Sequence, residues 1–259
     1  MISSREEIAV QRFENQVAVV TGAATGLGNG IALRLATEGA RVALLDCDSP
    51  RLDAAQIALQ KLGFVARGYT VDVAEESSVQ QTMKLVEKDL GAPHIMVNCA
   101  GIVGPTNTPI LDYPTEAYDH VYRVNLRGSF LMTKYCLPPM LARKYGRILL
   151  IASMAGKDGN PFMSGYSSSK AGVIGLVKGV AKEYAESGVT VNALAPAVVM
   201  TDLVRSCAPE QVAYMTSKIP MNRCGSIEEV ASISAWIVSS ECSFSTGFVF
   251  DLSGGRATY

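Results

Sequence analysis

Short apolar or β-branched runs recur along the chain, with amphipathic stretches between them. The runs are VAVVT at 17–21, RVALLD at 41–46, FVARGYTV at 64–71, HIMVN at 94–98, RILLIAS at 147–153, VTVNAL at 189–194 and FVFDL at 248–252. Strands this uniformly apolar are covered on both faces, and intervening segments of about 12 residues or more allow parallel pairing through helical crossovers. The pattern therefore predicts one doubly wound α/β domain spanning 1–259, with a seven-stranded, mostly parallel sheet between two helical layers. Ile31 and Leu35 stripe the first helix. Val79, Met83, Val86 and Leu90 stripe the third, which Gly91-Ala92-Pro93 stops. Residues 197–226 break the rhythm. That stretch is long, mixed in character and interrupted by Pro209, Pro220 and Gly225, as expected of a substrate lid between a strand and the next helix.

Composition narrows the function classes. With 48% hydrophobic and 18% charged residues the chain can fill a core, and a formal net charge of −1 gives no field to gather nucleic acid or anionic lipid. Neither partner is expected. The cysteines Cys47, Cys99, Cys136, Cys207, Cys224 and Cys242 are scattered, with no CxxC pair and no clustering with His94 or His120. They read as reduced thiols, and no metal site is expected. The start, MISSREEIAVQRFENQ, places adjacent glutamates where a signal peptide needs an apolar core, and no run approaches the roughly 20 apolar residues of a membrane span. A cytoplasmic setting is expected.

Directly after the first run comes TGAATGLGNG, with Gly22, Gly26 and Gly28 in GxxxGxG spacing. A sharp strand-to-helix turn, backbone amides brought against a phosphate, and a helix packed close to the sheet all favour residues without a Cβ. The turn predicts a Rossmann-type dinucleotide site, with a merely tight turn as the alternative. Asp46 lies 18 residues beyond Gly28, near where an acid meets the adenosine ribose; a carboxylate there favours NAD over NADP. A solvated strand-end aspartate is the plain alternative, and Asp48 competes for the role. Asp72 is a candidate for the adenine amino group or for a cap on a helix starting near Ala74.

Tyr166 and Lys170 in SGYSSSKAG stand at i and i+4, so a helix starting near Ser164 puts both on one face. A free tyrosine with pKa about 10 is a poor base near neutrality, but an ammonium and a cationic nicotinamide would stabilise its phenolate. Ser153 closes the run RILLIAS at a carboxyl end, where a parallel sheet presents ligand-facing groups, and its hydroxyl can hold a substrate oxygen. Taken singly, these are a surface pair and a strand-end cap; with the glycine turn they form an acid–base set.

The combination of TGAATGLG, NCAG at 98–101, Ser153 and Tyr166-Ser167-Ser168-Ser169-Lys170, in that order, resembles the short-chain dehydrogenase/reductase family over essentially the whole chain. The resemblance implies that Asn125 supports a water leading a proton from Lys170, that Asn98 stabilises the central strands, and that Leu27, Val73, Ala100 and Gly101 join the cofactor site. It also implies that Pro196 and the backbone of Val199 border the nicotinamide, with Thr201 reaching it by hydroxyl. Ala197 departs from the family's usual glycine and bears on any geometry there that needs positive φ.

The resemblance further implies a homotetramer, and the ending DLSGGRATY is similar to those of sugar and 2-keto-3-deoxy sugar-acid dehydrogenases. Arg205 is a candidate for gripping a substrate carboxylate, against a solvated lid charge; Arg256 or Tyr259 is a candidate for shaping a neighbouring subunit's pocket, against a frayed tail. Lys157, Asp158, Asn160 and Lys218 are read as pocket walls. Gly172, Gly175 and Gly179 permit close packing, between subunits or within one. The expectation is an NAD-dependent oxidoreductase acting on a secondary alcohol of a sugar or sugar acid, with Tyr166 as acid/base. An NAD-linked 3-oxoacyl or steroid-type ketone reductase is the alternative, and a non-catalytic dinucleotide sensor is a third reading.

Overall fold

The computed structural model describes residues 11–257 and 259; most of the amino-terminal stretch read against a signal peptide lies outside them. The strands are β1 Val17–Thr21, β2 Arg41–Asp46, β3 Ala66–Thr70, β4 Ile95–Asn98, β5 Gly146–Ile151, β6 Val189–Pro196 and β7 Val249–Leu252. The helices are α1 Gly26–Thr37, α2 Ser49–Lys61, α3 Glu76–Leu90, α4 Thr115–Tyr122, α5 Gly128–Arg143, α6 Met154–Asp158, α7 Ser164–Glu183, α8 Asp202–Arg205, α9 Pro209–Thr216 and α10 Ile227–Ile237. A π-helical turn, Arg123–Arg127, joins α4 to α5.

Among the described residues the strands form one parallel sheet in the order β3-β2-β1-β4-β5-β6-β7. The order reverses at β1, which pairs with β2 on one side and β4 on the other. Connections leave that point in opposite directions and open a crevice at the carboxyl ends of the strands. Thr21 is level there with Leu45 and Asn98. One apolar cluster packs α3, α5 and α7 on one face of the sheet, and a second packs α1, α2 and α10 on the other. No described helix is long and apolar enough to cross a membrane.

The predicted elements are present with shifted ends. The third run, read as 64–71, is strand only over Ala66–Thr70, an edge position where only Ala66 and Tyr69 are buried. β5 stops at Ile151, so Ser153 caps α6 instead of ending the strand. The helix expected near Ala74 starts at Glu76, although Asp72 Oδ1 does accept the Ala74 N–H at 2.9 Å. Residues 197–226 contain α8 and α9, and their two ends meet where Val199 bridges Gly225. Ala197 is absent from the residues with positive φ, so its Cβ carries no left-handed strain.

A line of buried polar groups crosses the crevice floor. The Ala100 N–H donates to Thr21 Oγ1 (3.0 Å), and Thr21 Oγ1 donates to Asn98 Oδ1 (2.7 Å). Asn98 Nδ2 donates to Ser129 Oγ (3.0 Å), which in turn donates to the Asn125 carbonyl (2.6 Å). Asn125 Nδ2 donates to Ser169 Oγ (3.0 Å) on α7, and Ser169 Oγ donates to the Tyr166 carbonyl (2.8 Å). Each of these side chains is at most 2% exposed, so each needs its partner. Thr21→Val keeps the shape but leaves Asn98 Oδ1 and the Ala100 N–H unpartnered. It is expected to lower unfolding free energy by about 1–3 kcal/mol, read as a fall in the urea midpoint without a change in m.

Candidate active site

The turn after β1 depends on its glycines. Gly22 has φ +61°, and a Cβ on Gly28 would lie 2.2 Å from the Gly22 carbonyl oxygen, so the turn closes only without a side chain there. α1 follows at once, and its N-cap, Thr25, makes no side-chain cap. Its first-turn N–H groups are thereby left to an anion. Asp46, at the end of β2, is oriented by backbone donors: Ala24 N–H reaches Oδ2 and Asp48 N–H reaches Oδ1, both at 3.0 Å.

Over this turn lies a cleft of about 850 Å³. It brings together Gly22, Gly26, Leu27, Gly28 and Asp46 from the first two strand ends. Opposite them are Asp72, Val73, Ala100, Gly101 and Thr201. Asn98 lies beneath it in the buried polar line, and Pro196 and Val199 are buried at the end of β6 and just beyond. Reasoning from sequence missed Ile102, Val124 and His120 on one wall, and Cys47, Arg51 and Asp202 on others. The carboxyl-end positions of Cys47 and Ile102, beside Asp46 and Gly101, were the available signal; His120 had none.

α7 delivers the other half. Tyr166 and Lys170 share one face, with the ammonium 5.8 Å from the centre of the phenol ring. Lys170 is 5% exposed and donates to the Ile151 carbonyl at 2.6 Å. Burial pulls its ammonium down to about 8. Burial pushes the Tyr166 phenol up, opposed by a hydrogen bond with Ser153. Ser153 Oγ also accepts the Ala155 N–H at 3.1 Å, which fixes the hydroxyl at the head of α6. Gly101 joins the halves: it lines the cleft, and a Cβ on it would lie 3.4 Å from Lys170 Nζ and 3.2 Å from Asn125 Oδ1. Asn125 is clamped on both sides of its amide, taking the Ile102 N–H at 2.8 Å and donating to the Ile102 carbonyl at 2.9 Å.

Neither candidate substrate arginine lines this cleft. Arg205 is exposed, 3.8 Å from Asp202, in a separate hollow with Arg223 and Glu228. Arg256 Nε donates to Asp158 Oδ2 (3.1 Å) and its terminal nitrogen to Asn160 Oδ1 (2.9 Å), within its own chain. Tyr259 and Lys157 also bond each other. Lys157, Asp158 and Asn160, read as pocket walls, are thus occupied by the carboxyl-terminal segment, and Lys218 sits 4.3 Å over the Tyr214 ring. Gly172 meets Leu126 inside the chain, whereas nothing lies within 4 Å of a Cβ on Gly175 or Gly179.

Residues 22–257 match a family model described as enoyl-(acyl carrier protein) reductase. The chain is 42% identical to 2-dehydro-3-deoxy-L-rhamnonate dehydrogenase (NAD(+)) of Sphingomonas sp. (strain SKA58), over 96% of this chain and 98% of that one. It is 32% identical to 3-oxoacyl-[acyl-carrier-protein] reductase FabG of Escherichia coli (strain K12), over 94% and 98%. A crystal structure of NAD+-bound xylitol dehydrogenase superposes with a TM-score of 0.88 at 32% identity, covering 94% of this chain and 99% of that one. The chain belongs to the short-chain dehydrogenase/reductase family and is an oxidoreductase.

A phenol raised by burial is deprotonated only as pH rises, and the Lys170 ammonium, present below about pH 8, is the nearby positive charge that can support the phenolate there. Lys170→Met is therefore expected to move the rising limb of the pH profile for alcohol oxidation to higher pH, measured as kcat/KM between pH 6 and 11. An unmoved limb would show that the ammonium does not act on the phenol.

Proposed function

We propose that this chain is an NAD-dependent dehydrogenase that oxidises a secondary hydroxyl of a 2-keto-3-deoxy sugar acid, with Tyr166 taking the proton. The observation carrying this reading is the meeting of α7 with the cleft at Gly101, where the buried Lys170 ammonium stands 5.8 Å from the centre of the Tyr166 ring. The full-length similarity to 2-dehydro-3-deoxy-L-rhamnonate dehydrogenase supports the substrate class. NAD in the names of that relative and of the xylitol dehydrogenase structure supports the cofactor.

The residues fit the dinucleotide. The space that side chains at Gly22 and Gly28 would fill admits a pyrophosphate against backbone N–H groups. Asp46 accepts from ribose hydroxyls and repels a 2′-phosphate, Asp72 and Val73 take the adenine end, and Leu27, Ala100 and Gly101 line the middle. Pro196, Val199 and Thr201 border the nicotinamide. When bound, NAD supplies the hydride acceptor. Ser153 holds the substrate oxygen, the Tyr166 hydroxyl oxygen removes its proton, Lys170 stabilises the phenolate and grips the ribose, and Asn125 supports the water that carries the proton outward.

Residues 197–226 act as the lid: their ends are pinned at the Val199–Gly225 bridge, and Thr201 and Asp202 already reach the cleft. Arg205, on the lid but outside the cleft in a separate hollow, would meet the substrate carboxylate only when the lid closes. Exposed Tyr122, Phe130, Trp236 and Phe248, with the open faces of Gly175 and Gly179, support a homotetramer. Cysteines as scattered as Cys47, Cys99, Cys136, Cys224 and Cys242 fit a reducing, cytoplasmic setting. Ketone reduction of the 3-oxoacyl type has less support, its relative being 32% rather than 42% identical. A sensor has no use for the phenol.

The test offers 2-dehydro-3-deoxy-L-rhamnonate, xylitol and a 3-hydroxyacyl thioester with NAD and NADP in parallel. The sugar acid with NAD is expected to react fastest, and Asp46→Ala to narrow the preference for NAD. Tyr166→Phe is expected to bind NAD as wild type does and to lose about 10²–10⁴-fold in kcat. Fastest turnover of the thioester would favour the reductase, and a Phe variant with wild-type activity would favour the sensor.

A further inference from the structure

α6, between Ser153 and Tyr166, is only five residues long and has no helical stability of its own to hold its position. Yet it borders every member of the acid–base set. Its N-cap is Ser153. Its middle touches α7 backbone to backbone: a Cβ on Gly156 would lie 2.7 Å from the Lys170 carbonyl carbon and 2.8 Å from the Ala171 nitrogen. The loop after it ties to the catalytic helix through the Asn160 N–H, which donates to Ser167 Oγ at 3.0 Å, one residue past Tyr166.

What holds α6 comes from the far end of the chain. Lys157 Nζ donates to Asp251 Oδ2 of β7 at 2.7 Å, and its side chain is 9% exposed. Arg256, 13% exposed, spans Asp158 and Asn160 with two separate nitrogens. The Tyr259 hydroxyl donates to the Lys157 carbonyl, and Lys157 Nζ donates to the Tyr259 carbonyl and lies 4.8 Å from its ring. Charge-assisted bonds from a planar fork to two acceptors fix direction as well as distance.

We infer that Asp251, Arg256 and Tyr259 form a clamp that positions α6, and that Arg256 and Lys157 are positioning residues for Ser153, Tyr166 and Lys170. The inference rests on the reading of those three as the acid–base set. It gives Arg256 a role in orienting the site from behind, instead of contact with substrate. A shift of α6 displaces the Ser153 hydroxyl and loosens the wall behind Lys170, so the consequence falls on the chemical step more than on binding.

The experiment uses the full-length enzyme as wild type, Arg256→Ala, Arg256→Lys and Asp158→Asn. Amide hydrogen exchange at Gly156 and Gly159, whose N–H groups bond Ser153 and Ala155 carbonyls, reports α6 without any substrate. Arg256→Ala is expected to speed that exchange about tenfold or more while α10 is unchanged. With NAD and 2-dehydro-3-deoxy-L-rhamnonate, kcat is expected to fall about ten- to a hundredfold with KM and NAD affinity near wild type. Arg256→Lys, keeping one donor for Asp158, restores part of both signals, and Asp158→Asn loses part of both. Unchanged exchange overturns the clamp, as does a variant whose KM rises while kcat holds, which is the mark of direct substrate contact. If wild type does not turn over the sugar acid, the proposed function falls by itself and the exchange result alone decides on the clamp.

Discussion

The structure depends on one continuous line of buried hydrogen bonds from the glycine turn to α7. Thr21 is level with Asn98 because β1 and β4 pair in parallel, and from Asn98 the line runs through Ser129 and Asn125 to Ser169. None of these groups has water to fall back on, so breaking one link strands another polar atom in a low-dielectric interior. These bonds tie the glycine turn to α7 through the buried interior. The π-helical turn at Arg123–Arg127 fits this line: it places the Asn125 carbonyl against Ser129 and the Asn125 amide against Ile102 and Ser169.

Electrostatics inside that frame are poised instead of set. Burial disfavours charge on both members of the pair, lowering the Lys170 ammonium and raising the Tyr166 phenol. Burial in the chain alone favours the neutral phenol. In the proposed oxidation the phenolate is required, and the positive charge of an oxidised nicotinamide, once bound in the adjoining cleft, would supply stabilisation that burial withholds. Under that proposal, acid–base readiness would follow cofactor occupancy.

Much of this was legible in the sequence because the strands are apolar on both faces and the chemistry sits at their carboxyl ends. Tyr166 and Lys170 needed only helical spacing. What stayed hidden needed distant partners. α6, MAGKD, has no apolar stripe to announce it, and Lys157 and Asp158 looked like pocket walls because their partners lie 94 and 98 residues away. Arg256 had the right chemistry for a carboxylate and found one in Asp158. The β1–β4 register that pairs Thr21 with Asn98, and the π turn at Asn125, are tertiary facts with no local period.

The most direct measurement is a titration of Tyr166 itself, by NMR of protein carrying ¹³C-labelled tyrosine, with the signal assigned by Tyr166→Phe. If the turn and α7 hold cofactor, phenol and ammonium as one unit, the phenol titrates at lower pH in the NAD-loaded protein than in the free protein, and the difference shrinks in Lys170→Met. A Tyr166 signal that titrates at the same pH with and without NAD would contradict the coupling.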